Sequence, residues 1–354
     1  MRGSRPRWVS YQATYVDATG SAKELEVTKA ELLSLNEDKI RLRDLNSLGL
    51  DIPFRLRHQN RLPPCILPRG DCILMLMGPF KAVITRKQAF FFGVERQSVR
   101  SSLERLVVLL RSVYIEDGED GGAGEAISDK FPSDLLAEKK KAGNERPAFE
   151  LVVVEHVLNE LCEAYVRRVN LFQPVVSGLL LDLTSNQSSS SLDKIHRLIP
   201  IKNGIDNFAM VTEEAATCIN ELLKSDEDMV GLLLTERHHH ILRRRKEAKQ
   251  SHEAEKAVQS WNQTAQLATG KILEDSMQET DGALPRASKF DEENYKLDLS
   301  YHTRVELLLE NYLRRLVLTQ QQTKYLRQQV QSAQVHVAIH VIHPSISLPR
   351  SCHT

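Results

Sequence analysis

The 354-residue sequence contains no run approaching the roughly 20 consecutive apolar residues that a membrane-crossing helix requires. Leu106 to Leu110 is cut by Arg111, and Val335 to Ile342 carries two histidines, so the chain as written does not span a bilayer. An excess of charge is lacking too: 47 basic residues face 47 acidic ones, which removes any global electrostatic case for nucleic acid or an anionic surface as partner. Cysteine is sparse. Cys65, Cys72, Cys162, Cys218 and Cys352 are odd in number and scattered, with no C-x-x-C pair, as expected of reduced thiols in a protein that is not secreted. Nor is there a P-loop, a nucleophile elbow, an H-E-x-x-H pair or a dinucleotide glycine fingerprint, so no catalytic chemistry is expected.

What the chain does have is helical pattern on a long scale. Val154, Leu158, Leu161, Tyr165, Val169, Phe172, Val176, Leu179 and Leu183 fall three or four apart, which is one stripe of an α-helix. The 37 residues from Ala148 to Thr184 would span about 55 Å, longer than a compact domain needs. Leu198, Ile201, Ile205, Phe208, Ile219 and Leu222 repeat the spacing with a polar gap at Thr212, and the serine-rich bridge between the two patterns reads as the bend of a hairpin. Pro174 and Pro200 each remove an interior N–H and are expected to kink their helices, although the apolar spacing resumes beyond both. A third stripe runs through Val305, Leu308, Tyr312, Leu316, Thr319, Thr323, Leu326 and Val330. Three such helices can form an antiparallel bundle or pair between subunits.

Ahead of the helices the period changes to that of strands. Trp8 to Val16 and Leu25 to Val27 are β-prone, and Thr28 with Glu31 forms the S/T-x-x-E capping box of a helix start. Arg41 to Leu45 reads as a short helix leading to a turn at Gly49. Four apolar pieces then follow closely, Cys65–Leu67, Cys72–Met77, Phe80–Ile84 and Ala89–Phe92, separated by turn residues, which predicts an antiparallel meander. Arg69-Gly70-Asp71, which matches an integrin-binding tripeptide, falls at one of those turns. Val99, Leu103, Leu106, Val107 and Leu110 return to helical spacing. The fold class is therefore α+β: a small, mainly antiparallel sheet with helices, then a long-helix hairpin and a third long helix.

The expected organisation is an N-terminal α/β domain over 1–115, a flexible linker over 116–146, the helical hairpin over 147–236, a polar insertion over 237–298, the third helix over 299–334 and an atypical tail over 335–354. The linker's glycines and acids lack the ligand order of a calcium loop. Arg2, Arg5 and Arg7 form a basic N-terminus, and the run of three histidines followed by Arg243-Arg244-Arg245-Lys246 forms a charged surface extension. His336, His340 and His343 have no partnering acid to make a metal site.

Five stretches, in order, resemble the eukaryotic mitochondrial and plant branch of the CorA-type magnesium transporters. Arg43-Asp44-Leu45 is similar to that branch's "RDLR" segment, and Phe80 to Thr85 to its "HIKAIIT" strand. Pro147-Ala148-Phe149-Glu150 resembles the "PFEFRALE" entry to its long helix, Asp226 to Glu236 its "DDDDMA.MYLT" hairpin end, and Val305 to Tyr312 its "EMLLEAY" helix. The match fades at about Gln334, before the family's Gly-Met-Asn motif and two membrane helices, so it covers the soluble part alone. The resemblance implies the gating or regulatory region of a magnesium transporter, truncated and not conducting by itself, built as a homo-oligomer, a pentamer in the family. It implies Mg2+ as the transported or regulatory ion, and an organelle membrane such as the mitochondrial inner membrane as the setting of the full-length form. Asp226, Glu227 and Asp228 are the candidate magnesium ligands, since a hard hydrated ion takes one or two carboxylates and keeps much of its water. The competing expectation is a helical scaffold without transport activity, whose seams bind a partner protein.

Overall fold

The computed structural model describes residues 10–34, 40–50, 62–114, 146–184, 191–250 and 299–342. The basic N-terminus, the linker up to residue 145, the serine bridge at 185–190, the insertion over 251–298 and the tail from His343 lie outside the described residues.

Two strands, β1 (Ser10–Asp17) and β2 (Ala22–Thr28), form a hairpin, and β3 (Cys65–Arg69), β4 (Cys72–Met77), β5 (Phe80–Thr85) and β6 (Gln88–Phe92) form the predicted meander. The sheet order is β2-β1-β6-β5-β4-β3, with every pairing antiparallel. Strand β4 is buried along its whole length because both faces of the sheet are covered. Ile73, Met75 and Met77 point into a core shared with the long helices, whereas Cys72, Leu74 and Leu76 point the other way. That second face is closed by α1 (Lys29–Ser34) and α2 (Leu42–Ser47), through Leu32, Leu45 and Leu48. The capping box forms as read: the Thr28 N–H donates to Glu31 Oε2 at 2.7 Å and the Glu31 N–H to Thr28 Oγ1 at 3.3 Å.

On the first face lie α3 (Gln97–Tyr114), α4 (Phe149–Thr184), α5 (Ser191–Leu223), α6 (Asp226–Gly231), α7 (residues 234–250) and α8 (Leu299–Ile342). Helices α4 and α5 are assigned continuously through Pro174 and Pro200. At about 1.5 Å per residue the 44 residues of α8 span about 66 Å. Helix α8 runs on to Ile342 instead of changing character at Gln334. The histidines and proline of the tail obscured that end in the sequence, but Val335 to Ile342 alternates valine and isoleucine with other residues, and tertiary context carries such a stretch into a helix.

Every residue of the third predicted stripe is buried, from Val305 at 1% exposed to Val330 at 1%. Its position corrects the expected packing. The hairpin helices were expected to lie mainly against each other, yet α8 makes the more extensive contact with both. Arg315 reaches Asn159 and Glu163 on α4, Gln320 reaches Thr212 on α5, and Arg327 reaches Asp206 further back along α5. These pairings run α8 antiparallel to α5. Thr212 is not a gap in the α5 stripe: it is fully buried, with its hydroxyl donating to the Ala209 carbonyl and its own carbonyl receiving Gln320.

Candidate functional site

The sheet and the helices meet at the first half of α4, where Leu151 to Leu158 are all buried. A helix enclosed on every side needs its polar groups answered one by one. Glu160 receives a two-pronged bond from Arg105 on α3, at 2.8 and 2.5 Å, and His156 Nε2 lies 3.0 Å from both the hydroxyl and the carbonyl oxygen of Ser102. Burial pushes the His156 imidazole down to about 4, against the pull of Glu160, so it is neutral at physiological pH. On the opposite flank Arg315 donates to Asn159 Oδ1 at 2.8 Å and to Glu163 Oε1 at 2.6 Å, with its guanidinium 5.4 Å above the Tyr312 ring. Gly78, at φ +57°, sits so close to α4 that an added Cβ would lie 2.6 Å from Leu161 Cδ1.

Four of the five motif stretches are drawn to this joint or its edge. Asp44 is buried, accepts from the Arg41 N–H at 3.0 Å, and lies 3.4 Å from the Arg69 guanidinium. That contact also places Arg69-Gly70-Asp71 at the β3–β4 turn, as expected of an ordinary hairpin. Glu150, the acid of the α4 entry motif, accepts from the N–H of Thr235 at 2.6 Å and from its hydroxyl at 2.9 Å, so motifs 85 residues apart meet. Burial pushes the Glu150 carboxyl up to about 7, against these bonds, and Glu236 adds to the rise. Beside it Tyr114 donates to the Pro147 carbonyl at 2.5 Å, and burial raises its phenol. Burial likewise holds the Cys162 and Cys218 thiols up to about 12, which makes them unreactive.

Asp226, Glu227 and Asp228 occupy the first turn of α6, capped by Ser225, whose hydroxyl accepts from the Asp228 N–H at 3.2 Å. Acids suit that end of a helix dipole. Asp226 and Glu227 are exposed and Asp228 is half-buried, while Met229 anchors the turn. At the other end Gly231 packs on β3, where a Cβ would come within 2.7 Å of Pro68. Among the described residues no three acids, histidines or cysteines gather as a metal cluster. The acids are thus presented outward from a fixed turn instead of being folded around an ion within one chain.

Away from the joint, helices α4, α5 and α8 continue as a bundle whose outward faces are unusually apolar. Leu171 is 70% exposed, Tyr325 61%, Leu318 57% and Leu307 55%. At 100° per residue Leu307, Leu318 and Tyr325 fall within about 20° of one another, so α8 carries a second apolar row distinct from its buried one. Sequence reading had missed this row, because the buried stripe on the same helix dominates the period. Its signal was the wider spacing of seven and eleven, and only the accessible surface separates it from the core. Arg105, His156 and Arg315 were missed for a related reason, since each acquires its partner from a different helix.

Comparison with known proteins bears on the same elements. The family model described as magnesium transporter MRS2-like matches residues 12–281. Magnesium transporter MRS2-2 of Arabidopsis thaliana is 24% identical over 222 residues, covering 63% of this chain and 52% of the relative. Putative magnesium transporter MRS2-G of Oryza sativa subsp. japonica is 25% identical over 178 residues, covering 49% of this chain and 37% of the relative. The chain therefore spans about half the length, or less, of the curated relatives it matches. A match that runs from β1 through the sheet, the α4–α5 hairpin and the acidic turn embraces most of the sequence, and on it this chain belongs to the MRS2-like magnesium transporter family.

Proposed function

We propose that this chain is the extramembrane gating region of a magnesium transport assembly, made of several copies of itself, with α8 as the element leading toward the membrane. The observation that carries the reading is the second apolar row of α8. A helix of about 66 Å that buries one stripe within its own chain and exposes another is suited to pack against copies of itself. Among the described residues no helix is long and apolar enough to cross a membrane, so the pore-forming part is assigned to sequence outside them. In this reading Asp226, Glu227 and Asp228 contribute carboxylates to a hydrated Mg2+ at a boundary between copies, which matches their outward presentation and the ion's preference for few protein ligands. The membrane is that of an organelle, the mitochondrial inner membrane being the leading candidate by resemblance.

The test is the molar mass of the purified chain by light scattering, with and without millimolar Mg2+. The expected result is a multi-copy species whose mass or thermal stability responds to Mg2+. Leu318→Glu with Tyr325→Glu should reduce it to a monomer of unchanged helix content, and Asp226→Ala with Asp228→Ala should abolish the Mg2+ response. A wild-type monomer indifferent to Mg2+ would refute the reading and favour a helical scaffold that binds a different protein.

A further inference from the structure

Helix α7 is attached to the rest of the chain at its root and free beyond it. From Leu242 to Gln250 every residue is exposed, including the run Arg243 to Lys246. Two polar contacts hold the root. Arg237 donates from Nη1 to the Gly70 carbonyl of the β3–β4 turn at 3.1 Å, and Glu150 at the start of α4 accepts both the N–H and the hydroxyl of Thr235. The first contact joins a guanidinium to a backbone carbonyl, neither of which titrates in the physiological range. The second depends on a buried carboxyl. We propose that the Glu150–Thr235 contact is a proton-linked latch, closed on the root of α7 while Glu150 carries its proton and loosened as Glu150 ionises.

The direction follows from linkage. In the closed arrangement burial lifts the carboxyl to about 7, whereas a hydrated glutamate titrates near 4.5. Protons therefore bind the closed state more tightly, and raising the pH must favour whichever state lets water reach the carboxylate. The groups set against Glu150 agree in sign. Glu236 on α7 is a like charge that disfavours ionisation, and the Tyr114 phenol on α3 stays neutral; Arg146, just before α4, is the one cation recorded in this neighbourhood. The protonated acid still suits Thr235, since its carbonyl oxygen accepts the N–H and its hydroxyl donates to Thr235 Oγ1. A carboxylate must instead give up hydration for two hydrogen bonds. The acidic turn α6 directly precedes α7, so the latch lies at the same corner as Asp226 to Asp228 but depends on none of them.

The inference is tested by hydrogen exchange of the full chain between pH 5.5 and 8.5, corrected for intrinsic exchange rates. Protection at residues 235–242 should fall with a midpoint near pH 7, by up to about 300-fold, the ratio of the two carboxyl acidities, while β4 stays constant. Glu150→Gln, which keeps an acceptor and a donor but cannot ionise, should hold protection high and flat with pH. His238 titrates on the same helix, so His238→Gln serves as the control and should retain the wild-type profile. A Glu150→Gln profile parallel to wild type would overturn the latch, as would a midpoint that moves with His238→Gln. Should Glu150→Gln fail to fold, carbon-13 titration of the wild-type carboxyl decides: a midpoint near 7 supports the latch and one near 4.5 overturns it. Loss of Mg2+ response or of assembly would bear on the proposed function and leave this result untouched.

Discussion

Two buried titratable groups on α4 pull the stability of this protein in opposite directions with pH, and their separation gives a quantitative prediction. His156 is held neutral, with its folded acidity at about 4 against about 6.5 when unfolded. Between those values the unfolded chain binds the extra proton, so the His156 contribution is complete above pH 6.5 and is lost as the pH falls toward 4. Glu150 behaves inversely: held at about 7 against about 4.5 unfolded, it binds its proton in the folded state, and its contribution is complete below pH 4.5 and lost as the pH rises through 7. Each displacement is about 2.5 pH units, which at about 1.4 kcal/mol per unit is about 3 kcal/mol for either group. In the wild type the two nearly cancel between pH 7 and 4.5, leaving only the common background of surface carboxylates. Glu150→Gln removes one side of the balance. Urea unfolding monitored by circular dichroism should then show stability falling about 3 kcal/mol more steeply than wild type from pH 7 to pH 4.5. His156→Gln should show the mirror result, gaining by a similar amount over the same interval. Parallel pH profiles for wild type and both variants would refute the argument, since they would mean that neither group is desolvated as the fold requires.

Other substitutions test the packing of the joint and the bundle. Arg315→Ala breaks bonds to Asn159 and Glu163 and uncovers Tyr312, at an expected cost of about 1–3 kcal/mol in thermal or urea unfolding; Arg315→Lys should recover less than half, because an ammonium cannot reproduce the fork. Gly78→Ala places a methyl against Leu161 at a positive φ and should cost about 1–3 kcal/mol, partly relieved when Leu161→Ala is combined with it, a coupling read from a double-mutant cycle. Phe208, fully buried at 5.5 Å from the Tyr165 ring centre, should cost about 3–5 kcal/mol on replacement by alanine, and the resulting unfolding should be seen equally by probes in α4, α5 and α8.

Much of the architecture was legible because local pattern and tertiary demand agree. The strand pieces between turn residues became the meander, the Thr28–Glu31 box capped its helix, and the stripe from Val305 to Val330 was buried residue for residue. These features depend on periods of two and 3.6, which an amino-acid sequence states directly. The site was legible in part. Its motif stretches could be recognised, and Asp226, Glu227 and Asp228 do stand together at a helix start, but the bond from Thr235 to Glu150 joins stretches that no spacing rule connects.

What the sequence determined by itself is therefore the kind and length of each element, and the face that each long helix must hide. Only the tertiary structure decided which helix lies beside which. It placed α8 along both hairpin helices, left a second apolar row of that helix uncovered, and closed Glu150 in a pocket where its acidity shifts. The physical reason is that burial is a property of the assembled surface: hydrophobic periodicity says that a stripe must lose its water, but the partner that removes it, and the polar groups desolvated in the process, are fixed only when the elements meet.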